Sequence, residues 1–223
     1  TYFRIAAGRT SLPFLAPSTA ELGNGARFVV DEGATLAIGG YDHQANYPIE
    51  FAVKGTLEVT GTLALDGASS ITGTGTVTTK ALASAGSATL SDVTFRAPAE
   101  GSSFSGTSKV TGGVTIGEGR TELAAGAGLI GDAVTVTGTL AVPKAATVSS
   151  LVAPNGTLEI GEETMLTVSN AVQTAGIGTL KVVSEDPTYA AWRTPRAFMT
   201  GQKFRDFTIA TSIDGVLTAT ESP

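Results

Sequence analysis

Residue types that carry acid–base chemistry are scarce in this sequence. His43 is the only histidine, and it directly follows Asp42. A nucleophilic triad would use such a histidine as its base, with a carboxylate to orient it and a serine to deprotonate. Because adjacent residues rarely point the same way, we interpret His43 as a surface histidine. We expect no catalytic residue and no enzymatic activity.

Motifs for cofactors and metals are equally weak. Residues Gly126 to Gly131 match G-x-G-x-x-G, but that fingerprint needs a following helix, and the next residues read as a strand. In a chain with 28 glycines we interpret the match as coincidence. Zinc sites need cysteine or histidine at fixed spacing, and the chain has no cysteine. We therefore expect no cofactor, no cofactor-binding residue and no metal site.

Carbohydrate binding, carbohydrate cleavage and ice binding are three candidate functions to weigh for this chain, because each can use a regular polar surface. Glycoside hydrolysis needs two carboxylates at a defined separation, whereas Glu58 and Glu159 are scattered among Arg96 and Lys181 in the predicted outward positions. The same charges interrupt the second row of threonines that an ice-binding face would need. Strand propensity and hydroxyl pairs between stacked strands explain the threonines more simply.

Composition and charge exclude several classes of partner. The net charge of −6 has the wrong sign for a nucleic-acid surface, which needs clustered lysine and arginine. No apolar run approaches the roughly 18 residues of a membrane helix, so we expect no membrane insertion. The hydrophobic content of 42% excludes a disordered chain. A first residue other than Met fits a processed mature protein, and the absence of cysteine fits an exposed, oxidising environment, so we expect an extracellular or cell-surface location.

A short repeat dominates the middle of the chain. Threonine followed by a large apolar residue recurs at Thr35, Thr56, Thr76, Thr94, Thr115, Thr135, Thr157 and Thr179, in steps of 18 to 22 residues. In segments such as Leu57-Glu58-Val59, apolar side chains flank a charged one, which is typical of a strand with one buried face. Units of this length with short strands predict an all-β fold, a parallel β-helix (β-solenoid) of about eight coils. An antiparallel sandwich or jelly roll is the alternative.

Aromatic residues concentrate at the two ends. Seven lie in residues 1–51 and five in 184–223. We divide the chain into an N-terminal capping or inter-subunit segment (1–32), the solenoid repeats (33–183) and a C-terminal aromatic and basic segment for capping or assembly (184–223). A stack of coils leaves open core and unpaired strand edges at both ends, which must be covered. The cover is either the chain's own end segments or a neighbouring molecule.

Head-to-tail contact between molecules has electrostatic support, because arginines and lysine cluster near one end and the acidic pair Asp31-Glu32 lies near the other. A heterologous contact of this kind continues into a filament unless it closes a ring. The candidate assembly interface comprises Tyr2, Phe3, Ile5, Phe14, Leu15, Asp31, Glu32, Tyr189, Trp192, Arg193, Arg196, Phe198, Lys203, Phe204 and Arg205.

The repeats at Gly55 to Leu65, Gly138 to Val142 and Gly156 to Ile160 resemble the Gly-Thr-Leu repeats of bacterial surface β-helix proteins, namely autotransporter passenger domains and autotransporter-associated strand repeats. The resemblance covers about residues 33–183 and implies a secreted or surface-displayed bacterial scaffold. We predict a structural subunit of an extracellular filament or surface assembly, built from copies of itself, with surface glycans as a further candidate partner. The alternatives are a tail-spike-like carbohydrate-binding or carbohydrate-cleaving β-helix and an ice-binding solenoid.

Overall fold

A computed structural model describes residues 2–13, 25–41, 48–152, 155–161, 164–173, 179–183, 198–200, 207–211 and 217–221. These residues form strands joined by turns. The strands are β1 Tyr2–Ile5, β2 Arg9–Leu12, β3 Ala26–Val30, β4 Thr35–Ile38, β5 Ile49–Val53, β6 Thr56–Leu65, β7 Ser70–Thr72, β8 Thr76–Ser91, β9 Thr94–Arg96, β10 Ser102–Thr111, β11 Val114–Ile116, β12 Arg120–Leu123, β13 Gly128–Val136, β14 Thr139–Val142, β15 Ala146–Val152, β16 Thr157–Gly161, β17 Met165–Gln173, β18 Thr179–Val183, β19 Phe198–Thr200, β20 Phe207–Thr211 and β21 Leu217–Glu221. Nowhere in the described ranges is there a helix that could cross a membrane.

Successive strands wind around three sides of a coil. Side 1 contains β1, β3, β5 and β7, the last residues of β8 and β10, the first residues of β13, β15 and β17, and β19. Side 2 contains β2, β4, the first residues of β6 and β8, then β9, β11 and the last residues of β13, β15 and β17. Side 3 contains the last residues of β6, the middle of β8, the first residues of β10, then β12, β14, β16 and β18.

All strand pairings along the three sides are parallel, which makes the fold a parallel β-solenoid. The predicted fold class is confirmed, and the antiparallel sandwich is excluded for this region. The parallel sheet also begins before residue 33, because β1, β2 and β3 pair with the strands that follow them on the same sides. Antiparallel pairing occurs in the described strands only near the C-terminal end, where β21 lies between β18 and β20.

The core forms because each strand alternates one inward and one outward side chain. In β5, Ile49, Phe51 and Val53 are buried, whereas Glu50 and Ala52 between them face outward. Parallel register places equivalent residues above one another, so the inward side chains form continuous columns along the axis. One such column on side 1 runs Phe3, Phe28, Phe51, Ile71, Leu90 and Val110.

A glycine and two serines shape the corner between sides 3 and 1. Gly106 has a positive φ of 68°, and a Cβ at this position would overlap the carbonyl oxygen of Ser84 in the preceding turn. At the same corner, the buried hydroxyl oxygens Ser84 Oγ and Ser108 Oγ lie 2.6 Å apart and share a hydrogen bond. The corner is therefore tight enough to need glycine, and its buried hydroxyls satisfy each other across adjacent turns.

The threonine register is correct over six turns and wrong over the last two. Thr35, Thr56, Thr76, Thr94, Thr115 and Thr135 stack directly on side 2. Thr135, however, pairs with Val152, because this turn is shorter than the others. Thr157 and Thr179 instead stack on side 3, after Thr139. Sides 2 and 3 use the same Thr-Leu-x-Val tetrad, so sequence period alone could not separate them.

Candidate assembly interface

Five of the predicted interface residues lie in the first two turns of the solenoid: Tyr2, Phe3 and Ile5 on β1, and Asp31 and Glu32 directly after β3. Phe198 begins β19, where its backbone pairs with that of Met165. The other predicted residues lie outside the described residues; they are Phe14, Leu15, Tyr189, Trp192, Arg193, Arg196, Lys203, Phe204 and Arg205. Asp42 and His43 lie outside them as well.

The aromatic column of side 1 opens to solvent at the first turn. The Phe3 ring stacks on Phe28 with a centroid distance of 4.8 Å, and Phe28 stacks on Phe51 at 5.5 Å. The Phe51 ring also meets the edge of Tyr41 at 6.4 Å. Phe51 is fully buried, but Phe3 is 42% exposed although it occupies an inward position. The apolar core thus presents an aromatic surface at this end, beside Tyr2, which is 59% exposed.

The outer strand edges of the first turn pair with no described strand. Within the described ranges, β1 pairs only with β3, and β2 pairs only with β4. The carbonyls of Gly8 and Leu12 accept hydrogen bonds from Thr35 and Gly39 on the β4 side. Because backbone groups alternate in direction along a strand, the amides of Arg9 and Ser11 point to the opposite edge. This edge can accept another parallel strand.

Ion pairs join the first turn to the second and the second turn to the third. Arg4 Nε lies 2.8 Å from Asp31 Oδ2, and Arg27 Nε lies 3.2 Å from Glu50 Oε1. The hydrogen bond and charge of Asp31 raise the pKa of Arg4 above its ordinary value. Asp31 is thus engaged within the chain, whereas Glu32 is exposed and forms no ion pair with a described residue. Of the predicted acidic pair, Glu32 presents the charge that is open to a partner.

The C-terminal end is covered on one side by its own chain. On side 3, β18 pairs with β21 in antiparallel orientation, and β20 then pairs with β21. On side 1, β19 adds one more parallel strand to β17. The last residues of β17 pair with β15, and no described strand pairs with their far edge or with the far edge of β19. Side 3 is therefore capped within the chain, while sides 1 and 2 end in parallel edges.

In the part of the chain that the structure describes, no group of acidic or histidine side chains is arranged to hold a metal ion. The threonine column of side 2 is half-buried, and Glu58 and Arg96 interrupt the row beside it, as the sequence predicts. Sequence reasoning missed a shallow groove of about 390 Å³ on side 1, which is lined in part by Arg27, Glu50 and Ser70. Stacking of these three residues in successive turns creates it, and no motif marks it.

A second missed feature is a pair of long arginine contacts. Arg9 Nη2 lies 2.7 Å from Glu58 Oε2, and Arg120 Nε lies 2.9 Å from Glu159 Oε2. In both cases the partners are two turns apart, and a strand lies between them. A four-residue pattern that recurs in the sequence indicates these contacts only once the register of the strands is known.

Comparison with known proteins yields no match to any family model, curated protein or solved structure.

Proposed function

We propose that this chain is a non-enzymatic structural subunit that assembles head to tail with copies of itself into an extracellular or cell-surface filament. The observation that carries the proposal is Phe3, an inward aromatic residue that is 42% exposed beside the open edges of β1 and β2. An exposed core aromatic and a free parallel edge are both stabilised when another strand covers them.

Strand direction makes the two ends complementary. The described strands of sides 1 and 2 are parallel throughout, so the far edges of β19 and β17 have the direction needed to precede β1 and β2 of another copy. Such a joint would add backbone hydrogen bonds, as in strand addition at a sheet edge. Because the two contacting surfaces differ, each joint leaves the same pair of surfaces free, and growth continues.

A proline variant tests this joint. Replacement Ser11→Pro removes an amide that points away from β4 and leaves the bonds between β2 and β4 intact. The matched control is Ser11→Ala, which keeps the amide. We expect wild-type protein and Ser11→Ala to form filaments visible by negative-stain microscopy and to sediment at high speed, while Ser11→Pro stays in the supernatant. If wild-type protein remains monomeric at high concentration, the proposal is wrong.

A second candidate function, glycan binding, is favoured by the groove on side 1. Its volume of about 390 Å³ falls within the range of small-ligand sites. The Arg27–Glu50 pair offers a donor and an acceptor to sugar hydroxyls. Glycan-array binding that Glu50→Ala abolishes and Glu118→Ala leaves unchanged would support this function. If the protein binds neither neutral nor acidic polysaccharides, the glycan-binding function is wrong.

A further inference from the structure

The contact between Arg9 and Glu58 crosses a whole strand. Arg9 aligns with Thr35 and then Thr56, while Ser11 aligns with Ala37 and then Glu58. The two partners are thus separated by two strand spacings and by two residues along the strand. With about 4.8 Å between strands and about 3.3 Å per residue, their Cα atoms lie about 12 Å apart. Only two long side chains can bridge this distance.

The residue under the bridge must be small. Ala37 points outward by strand alternation, yet it is only 7% exposed. The path between Arg9 and Glu58 runs over β4, and we infer that their crossing side chains cover Ala37. A larger residue at position 37 would occupy that path. We call the set Arg9, Ala37 and Glu58 the first arginine clasp.

The same arrangement occurs a second time, on a different side of the solenoid. Arg120 aligns with Thr139 and Thr157, and Glu122 aligns with Ala141 and Glu159. Arg120, Ala141 and Glu159 form the second arginine clasp. Ala141 also points outward and is 1% exposed. Here Glu122 Oε2 accepts a further hydrogen bond from Arg120 at 3.0 Å.

The two clasps share a sequence signature. The tetrads of the first are Arg9-Thr10-Ser11-Leu12, Thr35-Leu36-Ala37-Ile38 and Thr56-Leu57-Glu58-Val59; those of the second are Arg120-Thr121-Glu122-Leu123, Thr139-Leu140-Ala141-Val142 and Thr157-Leu158-Glu159-Ile160. Each tetrad matches its counterpart at three of four positions. The first set lies on side 2 and the second on side 3, so stacking within one column does not explain the repetition.

We propose that the first arginine clasp positions the edge strand β2 for assembly, which makes Arg9 and Glu58 positioning residues of the joint. This inference rests on the proposed function. Strand β2 has a described neighbour on one side only, and such edge strands open most easily. The clasp ties β2 to β6, one strand further in. A partner then meets an edge that already has its final register, and less conformational entropy is lost on docking.

The central experiment compares Glu58→Gln with Glu50→Gln. Both remove a carboxylate that pairs with arginine, but Glu50 pairs with Arg27 on the adjacent strand, outside the clasp. Amide hydrogen exchange is measured at low protein concentration, where chains are separate, and filament formation is measured by sedimentation. We expect Glu58→Gln to speed exchange in β2 up to about fivefold, the range of a half-exposed ion pair. The critical concentration for assembly should rise with it, and Glu50→Gln should change neither.

Two further variants separate the clasp from general destabilisation. Glu159→Gln should speed exchange in β12, β14 and β16 without changing assembly, because the second clasp lies away from the first turn. Ala37→Leu should act like Glu58→Gln by displacing the arginine, and it should have no further effect in an Arg9→Met background. Salt near 1 M should reproduce the exchange effect in wild-type protein, since it screens exposed pairs.

Each outcome decides a separate point. If Glu58→Gln loosens β2 but assembly is unchanged, the positioning role is wrong and the proposed function stands. If wild-type protein does not assemble, both fail. If Glu58→Gln and Glu50→Gln change exchange equally, or Ala37→Leu remains disruptive without Arg9, the clasp does not act as proposed.

Discussion

The aromatic column of side 1 makes a quantitative prediction about where stability resides. Phe51 is fully buried, stacks on Phe28 and contacts the edge of Tyr41. Phe3 stacks on the same column but is 42% exposed at its open end. Truncation to alanine should therefore cost very different amounts at two positions of the same residue type in the same column.

The magnitudes follow from burial. Phe51→Ala removes a closed-in ring and leaves a cavity between turns, which costs about 3–5 kcal/mol. Phe3→Ala loses a partly buried ring and leaves a space that water can fill, so we expect about 1–2 kcal/mol. For a domain of this size, the first loss corresponds to a fall in Tm on the order of 6–20 °C.

Urea denaturation followed by circular dichroism measures both variants, at concentrations low enough to keep chains separate. Hydrogen exchange should place the loss of Phe51→Ala in β3, β5 and β7, because solenoid turns contact mainly their neighbours. Equal losses for the two variants would show that Phe3 is not at an open end of the core. An effect of Phe51→Ala spread evenly along the chain would refute the stacked arrangement.

Two further predictions concern the corner between sides 3 and 1. Gly106→Ala should destabilise the protein strongly, because the added Cβ would overlap the Ser84 carbonyl oxygen. Gly126 has a similar positive φ of 73° but open space around it, so Gly126→Ala should show only the cost of placing alanine at a positive φ. Thermal unfolding measures the difference in stability, and equal losses for the two variants would contradict the close contact at Gly106. Ser84→Ala should cost about 1–3 kcal/mol by leaving the Ser108 hydroxyl buried without its partner, and the double change to alanine should cost less than the sum of the single changes. Additive losses in urea denaturation would show that the two hydroxyls do not depend on each other.

Much of the fold could be predicted because it depends on local sequence patterns. Alternation of apolar and polar residues, as in Leu57-Glu58-Val59, predicts strands directly. Steps near 20 residues predict coils, and the alignment of Thr35 through Thr135 is the true register of side 2. The concentration of aromatic residues at the start of the chain predicts an aromatic end surface, and Phe3 lies there with 42% exposure.

The failures have one physical cause. Different sides of the solenoid present the same tetrad, so Thr157 fitted the side 2 series although it stacks on side 3. Turn length varies, and the short step from Thr135 to Val152 moves the series from one side to another. The period of the sequence repeat indicates successive turns, but only the tertiary structure of the coil determines which side a strand joins.

Sequence by itself determined the strand pattern, the approximate number of residues per coil, the low fraction of charged residues and the polar or apolar character of each position. Those properties depend on residues close together in the chain, where steric preference and alternation act. Tertiary structure alone decided which residues meet across turns: the pairing of Asp31 with Arg4, the groove on side 1, and the arginine clasps over Ala37 and Ala141. These contacts join residues 18 to 49 positions apart in the chain, and stacking of turns at about 4.8 Å is what makes them neighbours.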